Sequence, residues 1–311
     1  MVGNAKMRTA QKGYTGRRRR LTFGQVVLVT FMLLLALTMI VPVLNILAKS
    51  FSDPDLSPTM GGLRVIPAGF STVNYQLVFS NKSIMPALWN SVYITVVGTA
   101  LNIFLTTSAA YVLIQPRLLF KKSIMTFLII MMLFDPGIIP EYMVMGKRQL
   151  NLIGSQWSII LVYAVNVYYL IIMMRYFQEV PAELYEAARM DGAGHITVLM
   201  RVVFPLAKAG IATITMFYAV VRWNEYFKAS IYLTKASETT LQVILRQFVV
   251  LGDTTTLVGM SNMMSYNELA QIDYGALKAA TIIVAIVPIL ILYPFVLRFY
   301  TKDVIAGSIK G

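Results

Sequence analysis

The sequence predicts an all-α polytopic membrane protein, and three observations carry the prediction. First, 57% of the 311 residues are hydrophobic and only 13% are charged. A soluble domain normally has about a quarter of its residues charged, so half that share leaves too few polar side chains for a water-facing surface. Second, apolar residues recur in six stretches, 26–48, 85–114, 123–145, 155–176, 210–233 and 274–300. Each is near or above the roughly 20 residues that a helix needs to cross hydrocarbon. Third, basic residues are unevenly spread. With the N-terminus cytoplasmic, segments 1–24, 115–122, 175–208 and 298–311 hold 17 of the 27 Lys and Arg in 80 residues. The opposite segments, 49–85, 145–156 and 222–272, hold 9 in 100 residues. Cytoplasmic loops concentrate Lys and Arg, so six transmembrane helices with both termini inside are expected.

Composition also removes whole classes of chemistry. The chain has no cysteine and one histidine, which excludes disulfides, thiolate metal sites and cysteine nucleophiles, and argues against His-cluster metal sites. No catalytic or metal-binding residue is expected. The net charge of +13 sits mostly in inside segments, so it orients the chain and calls for no nucleic acid.

In chain order, residues 1–24 form a basic cytoplasmic tail with RRRR at 17–20. The apolar run that follows is too long for a signal h-region and lacks an A-x-A cleavage site. The cluster is an ordinary anchor for lipid headgroups. Residues 25–300 make the transmembrane domain, and 301–311 a cytoplasmic tail. The first outside segment, 49–85, alternates apolar and turn residues. The third stretch contains Asp135, Pro136, Pro140 and Glu141. Its prolines break the helix, and its acids must face water, a partner or solute. The fourth carries Tyr163, Asn166, Tyr168 and Tyr169, and the fifth ends in Trp223, Asn224, Glu225 and Tyr226. Tyr and Trp serve as interfacial anchors in many spans. Asn166 is more telling, because a mid-span amide faces a cavity or another helix. Beyond the fifth stretch, TLQVILRQFVVLG has an amphipathic helical pattern suited to lying on the membrane or against the protein.

Between the fourth and fifth stretches the chain turns polar, in ELYEAARMDGAGH at 183–195. Pro181 can open a helix, and residues 182–190 are mostly strong helix formers. Asp191-Gly192-Ala193-Gly194 breaks it. A second helical pattern runs from His195 to Val203 and stops at Pro205. Glu179, Glu183, Glu186 and Asp191 balance Arg175, Arg189, Arg201 and Lys208, so this hairpin is neutral. Its second arm still carries Ile196, Val198, Leu199, Val202, Val203 and Phe204, an apolar set that calls for a partner.

EAARMDGAGHITVLMRVVFP resembles the signature loop of ABC-importer permeases: EAA, three residues, Gly, nine residues, Ile-x-Leu-Pro. Glu186, Ala187, Ala188, Gly192 and Pro205 match directly, while Val202 and Phe204 replace the usual Ile and Leu. PAELYEAARMDGA, IPAGFSTVNY, FDPGIIPEY, WNEYF and the terminal AGSIKG are similar to the carbohydrate-uptake, maltose-permease-like subgroup. Ala209 stands where relatives often have proline, which bears on how the fifth span begins. Asp135-Pro136 replaces smaller residues common in the third span.

The resemblance implies that loop 177–208 is a coupling hairpin inserted into a cleft of an ATPase subunit. Glu183, Glu186, Ala187, Ala188, Asp191, Gly192, His195 and Pro205 would form the contact. The tail residues Gly307, Ser308 and Lys310 would reach between the ATPase subunits. Implied partners are an ATPase dimer, a second homologous permease, an extracytoplasmic solute-binding protein and membrane lipid, in a bacterial cytoplasmic membrane. ATP and Mg would bind the ATPase and no cofactor this chain, which has no G-x-x-x-x-G-K-[ST]. Candidates for the solute pathway are Asp135, Asn166, Tyr169, Trp223, Asn224 and Glu225. Asp135 would repel an anionic sugar, which favours a neutral oligosaccharide. A peptide permease of the same superfamily, or an ion-coupled secondary transporter using Asp135, are the other readings. The latter often shows inverted repeats, and none is visible.

Overall fold

A computed structural model describes residues 22–252 and 274–308, and among these the regular elements are helical. The first helix, α1 (Phe23–Ser50), is apolar all round and lies open along most of its length. It packs on the last helix, α13 (Tyr274–Ser308). A helix hydrophobic on every face belongs in lipid or against another subunit.

The segment after α1, expected to lie outside, is folded, which its apolar and turn residues did not foretell. Ser52 Oγ donates to Ala48 O (2.8 Å), and Asn74 Nδ2 donates to Ser50 O (3.2 Å) and Ser52 O (2.9 Å). Asn74 stands in a short helix, α2 (Val73–Ser80), that packs on α13. These bonds satisfy backbone groups left over at the end of α1.

The central helix is α3 (Ile84–Ile114). Ser91, Thr95, Gly98, Thr99, Asn102 and Thr106 recur at three- and four-residue spacing, which puts small and polar side chains on one face. That face allows close approach, and α3 packs there against α7 (Val167–Gln178) and α10 (Lys208–Trp223).

Of the six apolar stretches, only α1 and α3 are single helices long and apolar enough to cross a membrane, among the described residues. The third stretch splits into α4 (Lys121–Leu133) and α5 (Ile138–Met145), bent by 111°. Asp135-Pro136 lies in the break, as expected, but Pro140 sits in the first turn of α5, where a missing N–H is harmless. The fourth splits into α6 (Gln156–Val162) and α7, bent by 55°, at a place with no proline or glycine. The fifth stretch is α10 followed by a short helix, α11 (Phe227–Tyr232). The amphipathic TLQVILRQFVV forms α12 (Leu241–Val250) and packs on the protein.

The hairpin between α7 and α10 consists of α8 (Ala182–Met190) and α9 (His195–Leu206). Its second arm does not stop before Pro205. A wide π turn over Leu199–Val203 carries the helix through the proline to Leu206, and an 87° bend at Ala207 begins α10.

Candidate functional site

The hairpin turn is a complete Schellman motif. Ala193 N–H donates to Ala188 O (2.9 Å) and Gly192 N–H to Arg189 O (3.0 Å), with Gly192 at φ +80°. Such a closure needs a left-handed residue just past the helix, which glycine adopts without the Cβ penalty. Ala188 and Ala193 both pack on the core cluster formed by α3, α7, α9 and α10, the apolar contact that accompanies this motif.

The first arm divides its residues cleanly. Tyr185 turns inward and its hydroxyl donates to Phe177 O (2.8 Å). Burial, assisted by Tyr111, pushes its phenol up to about 12. Glu183, Glu186, Ala187 and Asp191 face outward, and no ion pair holds those acids among the described residues. Arg189 Nη2 donates to Gln115 Oε1 (2.6 Å), while His195 Nδ1 lies 3.3 Å from Tyr111 OH. Both bonds tie the hairpin to the end of α3. His195 is an exposed residue joined to that helix.

The second arm corrects part of the apolar expectation. Val198, Leu199 and Val203 are buried within this chain and need no external partner. What remains open on this arm is Ile196, 77% exposed, with Met200 and Leu206, and on the first arm Met190 at 88%. Leu184 on the first arm is also exposed, at 41%. Pro205 is exposed in the last turn of the arm. Gly307 and Ser308 end α13, and Lys310 lies outside the described residues, as do 1–21 with RRRR.

The pathway candidates fall into separate local arrangements. Asp135 is exposed and its Oδ1 accepts from Gly137 N–H (2.8 Å), closing the turn between α4 and α5. Asn166 caps α7: its Oδ1 accepts from Tyr169 N–H (3.1 Å). That accounts for a mid-span amide without any ligand. Tyr169 meets Tyr218 edge-on at 4.9 Å. Asn224 Nδ2 returns to Val220 O (2.9 Å). Glu225 accepts from Tyr163 OH and from Lys228 N–H (2.8 Å). Trp223 is 3% exposed, with its indole N–H on Ala285 O (3.1 Å), so it is core and offers solute no surface. Glu141, expected to face water or a partner, pairs within the chain with Lys228 (2.7 Å) and Tyr232 OH (2.6 Å).

Sequence reasoning missed Arg222. It is 3% exposed at the end of α10, and three of its nitrogens donate. Nε reaches Asn102 Oδ1 (2.8 Å), Nη1 reaches Ile159 O (2.9 Å) and Nη2 reaches Ile160 O (2.7 Å). Asn102 Nδ2 in turn donates to Tyr163 O and to Ala164 O (2.8 Å). The carbonyls that the break between α6 and α7 leaves without helical partners are thus taken up by Arg222 and Asn102. Gly98 makes room, since a Cβ there would lie 2.5 Å from Arg222 Nε. The only signal in the sequence was an arginine at the end of an apolar run, which reads as an interfacial charge.

The described residues make a helical membrane protein with broken apolar spans and a hairpin whose exposed acids have no ion pair among them. Residues 100–305 match the family described as binding-protein-dependent transport system inner membrane component, and the chain belongs to that family. It is 35% identical over 282 residues to the polygalacturonan/rhamnogalacturonan transport system permease protein YtcP of Bacillus subtilis (strain 168), covering 90% of this chain and 96% of that one. It is 27% identical to the melibiose/raffinose/stachyose import permease protein MelC of the same organism, covering 79% and 84%. A crystal structure of a bacterial ABC transporter involved in import of the acidic polysaccharide alginate has a chain 29% identical, with TM-score 0.81, covering 88% of this chain and 95% of that one. The protein is a permease subunit of a binding-protein-dependent ABC importer, in a family of membrane components that are not themselves enzymes.

Proposed function

We propose that this permease imports an oligosaccharide and that its hairpin is the point where ATP hydrolysis on a partner is converted into movement. The observation that carries the reading is the exposed set Glu183, Glu186, Ala187, Met190 and Ile196 on a hairpin whose other face is locked to α3. Small Ala187 permits close approach, and the acids accept charge-assisted hydrogen bonds. A locked hairpin transmits displacement as a rigid body instead of absorbing it. Six spans with cytoplasmic termini place it on the side where an ATPase dimer, holding ATP and Mg, closes. Pairing with a second homologous permease covers the apolar flank of α1, and a binding protein delivers solute from the opposite side. Gly307, Ser308 and Lys310 contact the ATPase pair. The saccharide class is supported by the names of the relatives, which span acidic and neutral sugars.

Purification through a tag on this chain tests the reading. The ATPase and a second permease should co-elute, and binding protein with an oligosaccharide should raise ATP hydrolysis. Met190→Glu together with Ile196→Glu should strip off the ATPase and leave the permease pair intact. Retention of the ATPase by that double variant, or transport by this chain alone, would overturn it.

A further inference from the structure

Helix α12 has two faces. Leu241, Ile244 and Phe248, spaced by three and four, are buried against the core. Gln242, Leu245, Arg246 and Val249, on the same spacing, line an open cavity of about 430 Å³ together with Tyr226, Val250 and Ile282. Ligand clefts run from about 300 to 1,000 Å³. Tyr226 follows α10 at the end away from the hairpin, and the 16 residues of α10 rise about 24 Å. The cavity therefore lies near the end of α10 away from the hairpin.

Its chemistry is uneven. The lining is apolar except for one amide, one phenol and one guanidinium. Arg246 Cζ lies 4.6 Å from the centroid of the Tyr226 ring, a cation–π contact that fixes the guanidinium without using its N–H groups. Among the described residues Arg246 has no carboxylate partner and donates no hydrogen bond. Lys278, one helical turn from Ile282 on α13, adds a second cation near Phe248, also without an ion pair among the described residues. A π turn begins at Arg246, and such widened turns concentrate at functional sites.

We propose that this cavity is a subsite for the carboxylate of an acidic sugar residue, taken by the Arg246 fork, with Gln242 and Tyr226 meeting its hydroxyls. A guanidinium binds a carboxylate through two parallel N–H bonds, which a point charge does not reproduce. A neutral sugar leaves that fork unused. The inference rests on the importer reading above and deepens it. Asp135, which as a bare acid favoured a neutral solute, belongs to another element and spends one oxygen on its own turn.

The test is uptake by the complete importer in proteoliposomes, with trigalacturonate and with its methyl ester. Each variant's rate is divided by the wild-type rate for the same solute, so the binding protein's own preference cancels. Arg246→Gln should lower trigalacturonate uptake at least tenfold and change ester uptake less than twofold. Arg246→Lys should recover only part of the loss. Equal loss on both solutes overturns the subsite and assigns Arg246 to structure or to a lipid phosphate. No loss on either overturns it as well. Wild-type transport of the ester alone overturns the acidic subsite and leaves the importer standing. Transport of neither solute overturns the subsite; if neutral oligosaccharides also fail to raise ATP hydrolysis, the oligosaccharide reading falls with it.

Discussion

The hairpin and the Arg222 node both place charge in an apolar chain, and they use it in opposite ways. At the node Arg222 Nε, Nη1 and Nη2 each have an acceptor inside the molecule, and the residue is 3% exposed. On the hairpin, Glu183, Glu186 and Asp191 are exposed with no internal ion pair among the described residues. A satisfied buried group specifies the fold, whereas an unsatisfied exposed one on a rigid support is available to a partner. The difference separates residues whose charge is spent inside the permease from residues whose charge is left at its surface.

The sharpest way to break the comparison is to remove the guanidinium. Arg222→Met leaves Asn102 Oδ1 and two carbonyls without a donor, and such buried losses cost about 3 kcal/mol or more. Thermal unfolding of the purified permease should show a large drop, with transport falling only as folded protein is lost. Gly98→Ala should act in the same direction by crowding Arg222 Nε, at about 1–3 kcal/mol.

Gly192→Asp should give the reverse pattern. A Cβ there meets open space, so its stability cost is limited to the left-handed conformation, about 1–2 kcal/mol. Uptake should nevertheless fall more than tenfold, measured against ATP hydrolysis in the same vesicles. Gly192→Asn, which tolerates that conformation better, should fall less. Normal uptake by the Asp variant would remove the turn from the coupling route.

Between these extremes lies the Glu141–Lys228 pair, whose side chains are 23% and 21% exposed. A double-mutant cycle of Glu141→Gln and Lys228→Met should return a coupling of about 1 kcal/mol. A value near zero would mean the bend between α4 and α5 stands without it.

The smallest expected effect is at Tyr185. Its folded pKa is raised to about 12, above the unfolded value of about 10. The neutral phenol is the favoured form in the fold, so its contribution is complete below about pH 10 and is lost as pH rises through about 12. Hydrogen exchange at the hairpin should rise over that window in the wild type and lose this step in Tyr185→Phe.

Much of the hairpin was legible because its signals are local. Pro181, the run of helix formers, Gly192 and the spacing to Pro205 act within a few residues of themselves. The division of the second arm was not legible, since Val198 and Ile196 are alike as residues and differ only in what α3 and α7 cover. The break after α6 carries no proline or glycine. Its cause, Arg222 with Asn102, lies about 60 residues away on either side.

Composition, charge bias and the loop signature were enough to determine a membrane permease with a polar helical hairpin, because hydropathy, chain reversal and helix start depend on nearby residues. Tertiary structure alone decided which stretches bend, that Trp223 and Arg222 are interior, that Glu141 is paired, and that Arg246 fronts a cavity. Those outcomes depend on what lies opposite each side chain, and sequence spacing does not encode the neighbour across a helix interface.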